Sequence, residues 1–92
     1  MTTVHVLVYG RVQGVGFRNF VEGKAKDFKI QGWVRNLSNG SVEAVLQGSD
    51  SAVNRLIAEC KKGPFLALVD KIVARTIPEK EQFSNFQVLS TK

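Results

Sequence analysis

Val4-His5-Val6-Leu7-Val8-Tyr9 runs into Gly10-Arg11-Val12-Gln13-Gly14-Val15-Gly16, which opens onto Phe17-Arg18-Asn19-Phe20-Val21. The first run is rich in β-branched and aromatic residues and reads as a buried strand, Val4 to Tyr9. The last begins an amphipathic helix, Phe17 to Phe28, with Phe17, Phe20, Val21, Ala25 and Phe28 on one stripe. Only Lys24 interrupts that stripe, and its stem can lie along it. Between strand and helix, three glycines fall within seven residues. Such a turn lets the backbone adopt positive φ and leaves the first helical N–H groups without partners, which favours an anion, phosphate above all.

The charges point the same way. A helix's first turn favours Asp or Glu, because its amino end is partly positive. Here the first acid is Glu22, and Arg11 and Arg18 occupy the acids' place. Side chains of the first turn lean back over the helix start, so Arg18 is expected to meet the anion held by the loop amides. A Walker loop is excluded, because Gly16 is followed by Phe17-Arg18 and not Lys-Ser/Thr. A dinucleotide fingerprint is excluded as well, since Asn19 stands where its third glycine belongs.

Working outward, Ile30 to Leu37 is a second strand carrying Trp33. Asn39-Gly40 is a hairpin signal, and Ser41 to Gln47 returns as a third strand with Val42, Ala44 and Leu46 on one face. A second helix is expected with Asp50 or Ser51 as its N-cap and a stripe of Val53, Leu56, Ile57 and Cys60. Gly63-Pro64 ends it. Val69 to Ile77 is a fourth strand and Asn85 to Ser90 a short last one. The order βαββαβ plus a terminal strand predicts an α+β, ferredoxin-like sandwich: one antiparallel sheet with two helices on one face.

Ninety-two residues with 43% apolar content are read as a single domain, residues 1–92, with a modest core. The net charge of +5 attracts anions in general. One cysteine and one histidine build neither a disulfide nor a zinc site, so no metal is expected. Cys60 reads as buried packing and His5 as a strand side chain. No run approaches ~20 apolar residues, and no leader is recognised, so the expectation is a cytoplasmic chain with no membrane partner.

The crossover makes strands one and two parallel, so their carboxyl ends lie at one sheet edge. Asn36 is therefore expected near the glycine loop. Two readings of Asn36 stand side by side: an opener of the hairpin turn, or a functional amide. A neutral amide donates and accepts hydrogen bonds but is no base near neutral pH, so any catalytic role is orienting.

Gly10 to Arg18, then Gly32-Trp33-Val34-Arg35-Asn36 and Asn39-Gly40-Ser41-Val42-Glu43, closely resemble the acylphosphatases, and the resemblance extends over about Val4 to Val88. It implies hydrolysis of carboxylic–phosphoric mixed anhydrides to a carboxylate and inorganic phosphate, without metal or cofactor. It further implies that Arg18 and the amides of Gln13, Gly14, Val15, Gly16, Phe17 and Arg18 bind the phosphoryl group, and that Asn36 orients the attacking water. The expected partners are then a small acyl phosphate and inorganic phosphate, as product and inhibitor, with a monomer as the default. Three positions depart from the family's pattern. Lys29 replaces a glycine at the joint after the first helix, Asn19 replaces an aromatic residue, and Phe65 replaces a second proline.

The rival from another class is an RNA-recognition module of the same topology. Such modules need aromatics on the third strand, whereas Val42-Glu43-Ala44-Val45-Leu46-Gln47 has none and carries an acid. No specific nucleic acid is expected. A phosphate-binding domain without catalysis is disfavoured by the presence of both Arg18 and Asn36.

Overall fold

The computed structural model describes residues Met1–Lys92. Valines 4, 6 and 8 are buried while His5, Leu7 and Tyr9 between them are half-exposed. This two-residue period makes the first strand, β1 (Thr2–Arg11), a ribbon with one face on the core. The other elements follow as α1 (Phe17–Asp27), β2 (Gln31–Asn36), β3 (Val42–Gly48), α2 (Asp50–Lys62), β4 (Leu68–Thr76) and β5 (Phe86–Val88). The sheet order is β4-β1-β3-β2-β5. Val4, Val6, Val8, Val42, Ala44, Leu46 and Val34 face Phe17, Val21 and Ala25 of α1 and Val53, Leu56 and Cys60 of α2 in one buried cluster. This is the ferredoxin-like α+β arrangement. Burial pushes the Cys60 thiol up to about 12, so it is an inert packing group at neutral pH.

Several details depart from the sequence expectation. The sheet is mixed, because β5 pairs with β2 in parallel while every other pair is antiparallel. A three-residue edge strand carries no local signal of direction. β1 runs past Tyr9 to Arg11 through a register shift at Tyr9/Gly10. Gly10 thus serves close strand packing, since a Cβ there would stand 2.2 Å from the Leu68 carbonyl oxygen. The hairpin is longer than a two-residue turn: Asn36 pairs with Val42, and Leu37 to Ser41 connect them. Asn39 serves there as an acceptor, its Oδ1 taking the Ser41 N–H and hydroxyl. The N-cap of α2 is Ser49, not Asp50 or Ser51; its hydroxyl accepts from the Ala52 N–H at 3.2 Å. In a Ser-Asp-Ser run each residue can cap, and the turn geometry chooses.

α1 ends in a Schellman motif, with Ile30 N–H donating to Ala25 O (2.8 Å) and Lys29 N–H to Lys26 O (3.2 Å). The motif's left-handed position is Lys29, the one non-glycine residue with positive φ (59°). A Cβ in that conformation is strained. Lys29→Gly is expected to stabilise the fold by about 0.5–1 kcal/mol, read as a raised urea midpoint at unchanged m. A lowered midpoint contradicts the motif's dominance over chain entropy.

The face of the sheet away from the helices carries a charged cluster among apolar side chains such as Val45 and Trp33. Glu43 accepts from Arg35 Nε and pairs with His5 Nε2, each at 2.7 Å, and Arg35 stacks over Trp33. Burial raises the Glu43 carboxyl, but the His5 and Arg35 hydrogen bonds and charges outweigh it, so its pKa is lowered.

Candidate active site

The loop after β1 is pinned by Val12, which is 1% exposed, and by Val15, which packs against the core. Between and after these anchors, Gly14 (φ 73°) and Gly16 (φ 78°) take left-handed conformations. A side chain at either is strained although space is open, so the backbone path itself demands glycine. Gly16 is the N-cap of α1 and has no side chain with which to cap it. The amides of Gly14 to Asn19 donate to no backbone or side-chain acceptor of the chain, and the first turn holds no acid. These donors and the helix dipole leave the turn electropositive.

Arg18, half-buried, projects at this turn and forms no ion pair. Two unneutralised positive features thus stand side by side, an arrangement suited to an anion. A cavity of about 100 Å³ lies there, lined by Val12, Gly14, Gly16, Phe17, Arg18, Asn19 and Asn36. Arg18 and Asn36, 18 residues apart in sequence (36 − 18), thus meet in one cavity. Arg11, also singled out by charge, is exposed and outside it, and neither Gln13 nor Val15 lines it.

Asn36 ends β2 on the helix-facing side, opposite Val42. Its side chain, half-buried, has no partner in the chain. Its backbone carbonyl accepts from the Lys92 N–H at 3.0 Å, and the Val34 carbonyl from the Leu89 N–H at 2.8 Å. The chain after β5 thus borders the outer edge of β2 up to Asn36. Nowhere do three His, Cys, Asp or Glu side chains assemble as a metal cluster. The cavity offers one cation, the neutral amides of Asn19 and Asn36, backbone donors and no acid. Its chemistry is anion binding and orientation, with no proton acceptor strong enough for a general base.

Sequence reasoning assigned Gln13 a loop amide and missed its side chain. The Gln13 side-chain amide donates to Leu37 O (2.7 Å) and Ser41 O (2.8 Å), tying the glycine loop to the hairpin that carries Asn36. No local signal says that Gln13 reaches residues 24 and 28 positions away. Both carbonyls keep a second partner, Gly40 N–H and Leu37 N–H respectively. Gln13→Leu should therefore cost about 1–2 kcal/mol in urea unfolding. It should lower kcat for the reaction proposed below more than it weakens phosphate inhibition. Equal changes in both contradict its role as a strut that sets Asn36.

Known proteins resemble this chain in sequence and in fold. The acylphosphatase family profile matches residues 4–88. A protein named acylphosphatase from Methylococcus capsulatus is 45% identical over 89 residues, covering 97% of each chain. The crystal structure of an acylphosphatase from Bacillus subtilis superposes with a TM-score of 0.94 at 34% identity, over 97% of this chain and 99% of that one. An acylphosphatase structure from Coxiella burnetii gives 0.91 at 40% identity, over 96% and 92%. Matched in sequence along nearly its whole length and in fold to solved members, the chain belongs to the acylphosphatase family of enzymes.

Proposed function

We propose that this chain hydrolyses acyl phosphates through the cavity at the start of α1. The phosphoryl oxygens lie on the amides of the Gln13–Arg18 loop and on the Arg18 guanidinium, whose fork suits two oxygens at once. Asn36 holds a water in line with the phosphorus. The water oxygen bonds to phosphorus as the bond to the acyl oxygen breaks. That oxygen leaves with the electron pair as a carboxylate, and the water's protons pass to phosphate and solvent. A carboxylate leaves without an acid's help, so the work is neutralising the phosphoryl charge and placing the nucleophile. The reading rests above all on the unpaired Arg18 beside uncapped helix amides in an acid-free cavity shared with Asn36. The rest of the reading is a single 92-residue domain, monomeric and cytoplasmic, inhibited by its product phosphate and needing no metal.

The test is phosphate release from benzoyl phosphate beside a phosphomonoester control, with and without EDTA. Fast hydrolysis of the anhydride alone, unchanged by chelation, is the expected result. Equal hydrolysis of the ester, or loss restored by magnesium or zinc, contradicts the mechanism. No helix is long and apolar enough to cross a membrane.

A further inference from the structure

The catalytic cavity is small, about 100 Å³. Pockets that bury a small organic ligand run to about 300–1,000 Å³. A phosphoryl group and one water fill the cavity, so the acyl half of a substrate lies outside it. What the protein presents at that edge then decides which acyl groups are favoured.

Three connections form the edge. β1 and β2 both end there and β4 begins there, since Leu68 pairs with Arg11 and Asn36 with Val42. The glycine loop is the first connection. The second is the hairpin, whose tip, Ser38-Asn39-Gly40, is exposed and polar or bare. The third, between α2 and β4, is apolar: Phe65 is 100% exposed and Leu66 62%. With Met1 and Leu68 of β4, these are the only large hydrophobic side chains the molecule exposes. They add little to the core, and their clustering at one edge is not the scattered exposure expected of an ordinary surface. The connection also abuts the catalytic loop. A Cβ on Gly63 would stand 3.0 Å from Phe17 Cε2, and Phe17 lines the cavity.

We propose that Phe65 and Leu66 form an acyl-group subsite, giving the chain a preference for acyl phosphates with an apolar chain or aromatic ring over acetyl phosphate. This rests on the phosphoryl site proposed above. With the phosphoryl group in the cavity, the acyl group emerges at this edge and finds one apolar surface there. Covering it removes apolar area of both partners from water.

The experiment compares kcat/KM for acetyl, butyryl, hexanoyl and benzoyl phosphate in the parent and in the variant Phe65→Ser, Leu66→Ser. Both side chains are exposed, and circular dichroism checks the fold; the single variant Phe65→Ser serves if the connection is disturbed. Intrinsic differences in anhydride reactivity cancel between parent and variant. The hexanoyl-to-acetyl ratio is expected to fall about tenfold in the variant, chiefly through KM. Acetyl phosphate turnover and inhibition by inorganic phosphate should stay within about twofold. An unchanged ratio overturns the subsite. Sedimentation of the parent but not the variant with anionic vesicles, alongside an unchanged ratio, reassigns the patch with Lys61 and Lys62 to a lipid surface. A parent inactive on every acyl phosphate defeats the catalytic reading itself, a separate failure.

Discussion

Arg18→Gln is expected to lower kcat/KM for benzoyl phosphate by at least about 10³, while leaving the fold as stable as before or slightly more so. The two readouts move oppositely for a stated reason. Arg18 has no ion-pair partner in the chain and stands in the first turn of α1, where its charge opposes the helix dipole. Removing that charge should relieve about 0.3–1 kcal/mol of unfavourable electrostatics. For phosphoryl transfer the same charge is the main counterweight to the developing anion, and comparable arginines are worth about 10³–10⁵ in rate. Product and substrate share the group that Arg18 is proposed to clamp, so inhibition by inorganic phosphate should weaken as well. Glutamine keeps donors near the oxygens without the charge, which separates electrostatics from shape. Steady-state kinetics and a urea titration on one preparation decide the matter. If phosphate inhibits the variant as well as the parent, Arg18 is not the anion ligand. If the variant is markedly less stable, Arg18 is structural.

Asn36→Ala is expected to divide binding from chemistry. An interaction that orients water matters chiefly as the nucleophile attacks, so its loss appears in kcat and less in ground-state binding. Removing one such hydrogen bond costs on the order of 10²–10³ in rate, about 2.7–4 kcal/mol. Competitive inhibition by phosphate should change only modestly. The variant should fold, because β2 pairs through its backbone and the hairpin is closed by Gly40 N–H to Leu37 O and Leu37 N–H to Ser41 O. The asparagine side chain itself has no partner to lose. Asn36→Asp should also be poor: its carboxylate accepts a proton from water but repels the phosphoryl oxygens across a cavity about 100 Å³ in volume. Near-parental kcat in Asn36→Ala returns the residue to the simpler reading, an opener of the hairpin.

The two variants probe residues that were legible in different ways. Arg18 broke a local rule, a cation in place of an acid, and a broken rule marks function where no compensation is visible. Asn36 broke none, because Asn is common at turns. Only the shared edge of two parallel strands brought it to the loop, and the resemblance then supplied a role. Arg11 broke the same rule as Arg18 and points elsewhere. The strand continues through the bulge at Gly10, so Arg11 ends β1 and does not enter the loop.

By itself the sequence determined what short-range physics controls. Alternation of valines made β1, an interrupted 3.6-residue stripe made α1, and Gly63-Pro64 stopped α2. The loop's glycines also announced an uncapped helix start. Each depends on residues within a turn or two, where steric limits on φ and the need to bury one face leave few alternatives. Tertiary packing decided what those limits leave free. The Gln13 side chain spans to the hairpin because α1 and β2 share a core, and nothing within ten residues encodes its acceptors. The parallel direction of β5 is set by the path from β4 around to the open edge of β2. The exposed Phe65-Leu66 pair carries, in the linear chain, no sign of where it lies. It becomes an edge feature only because α2 and β4 bury their own stripes first and leave the short connection between them no core to enter.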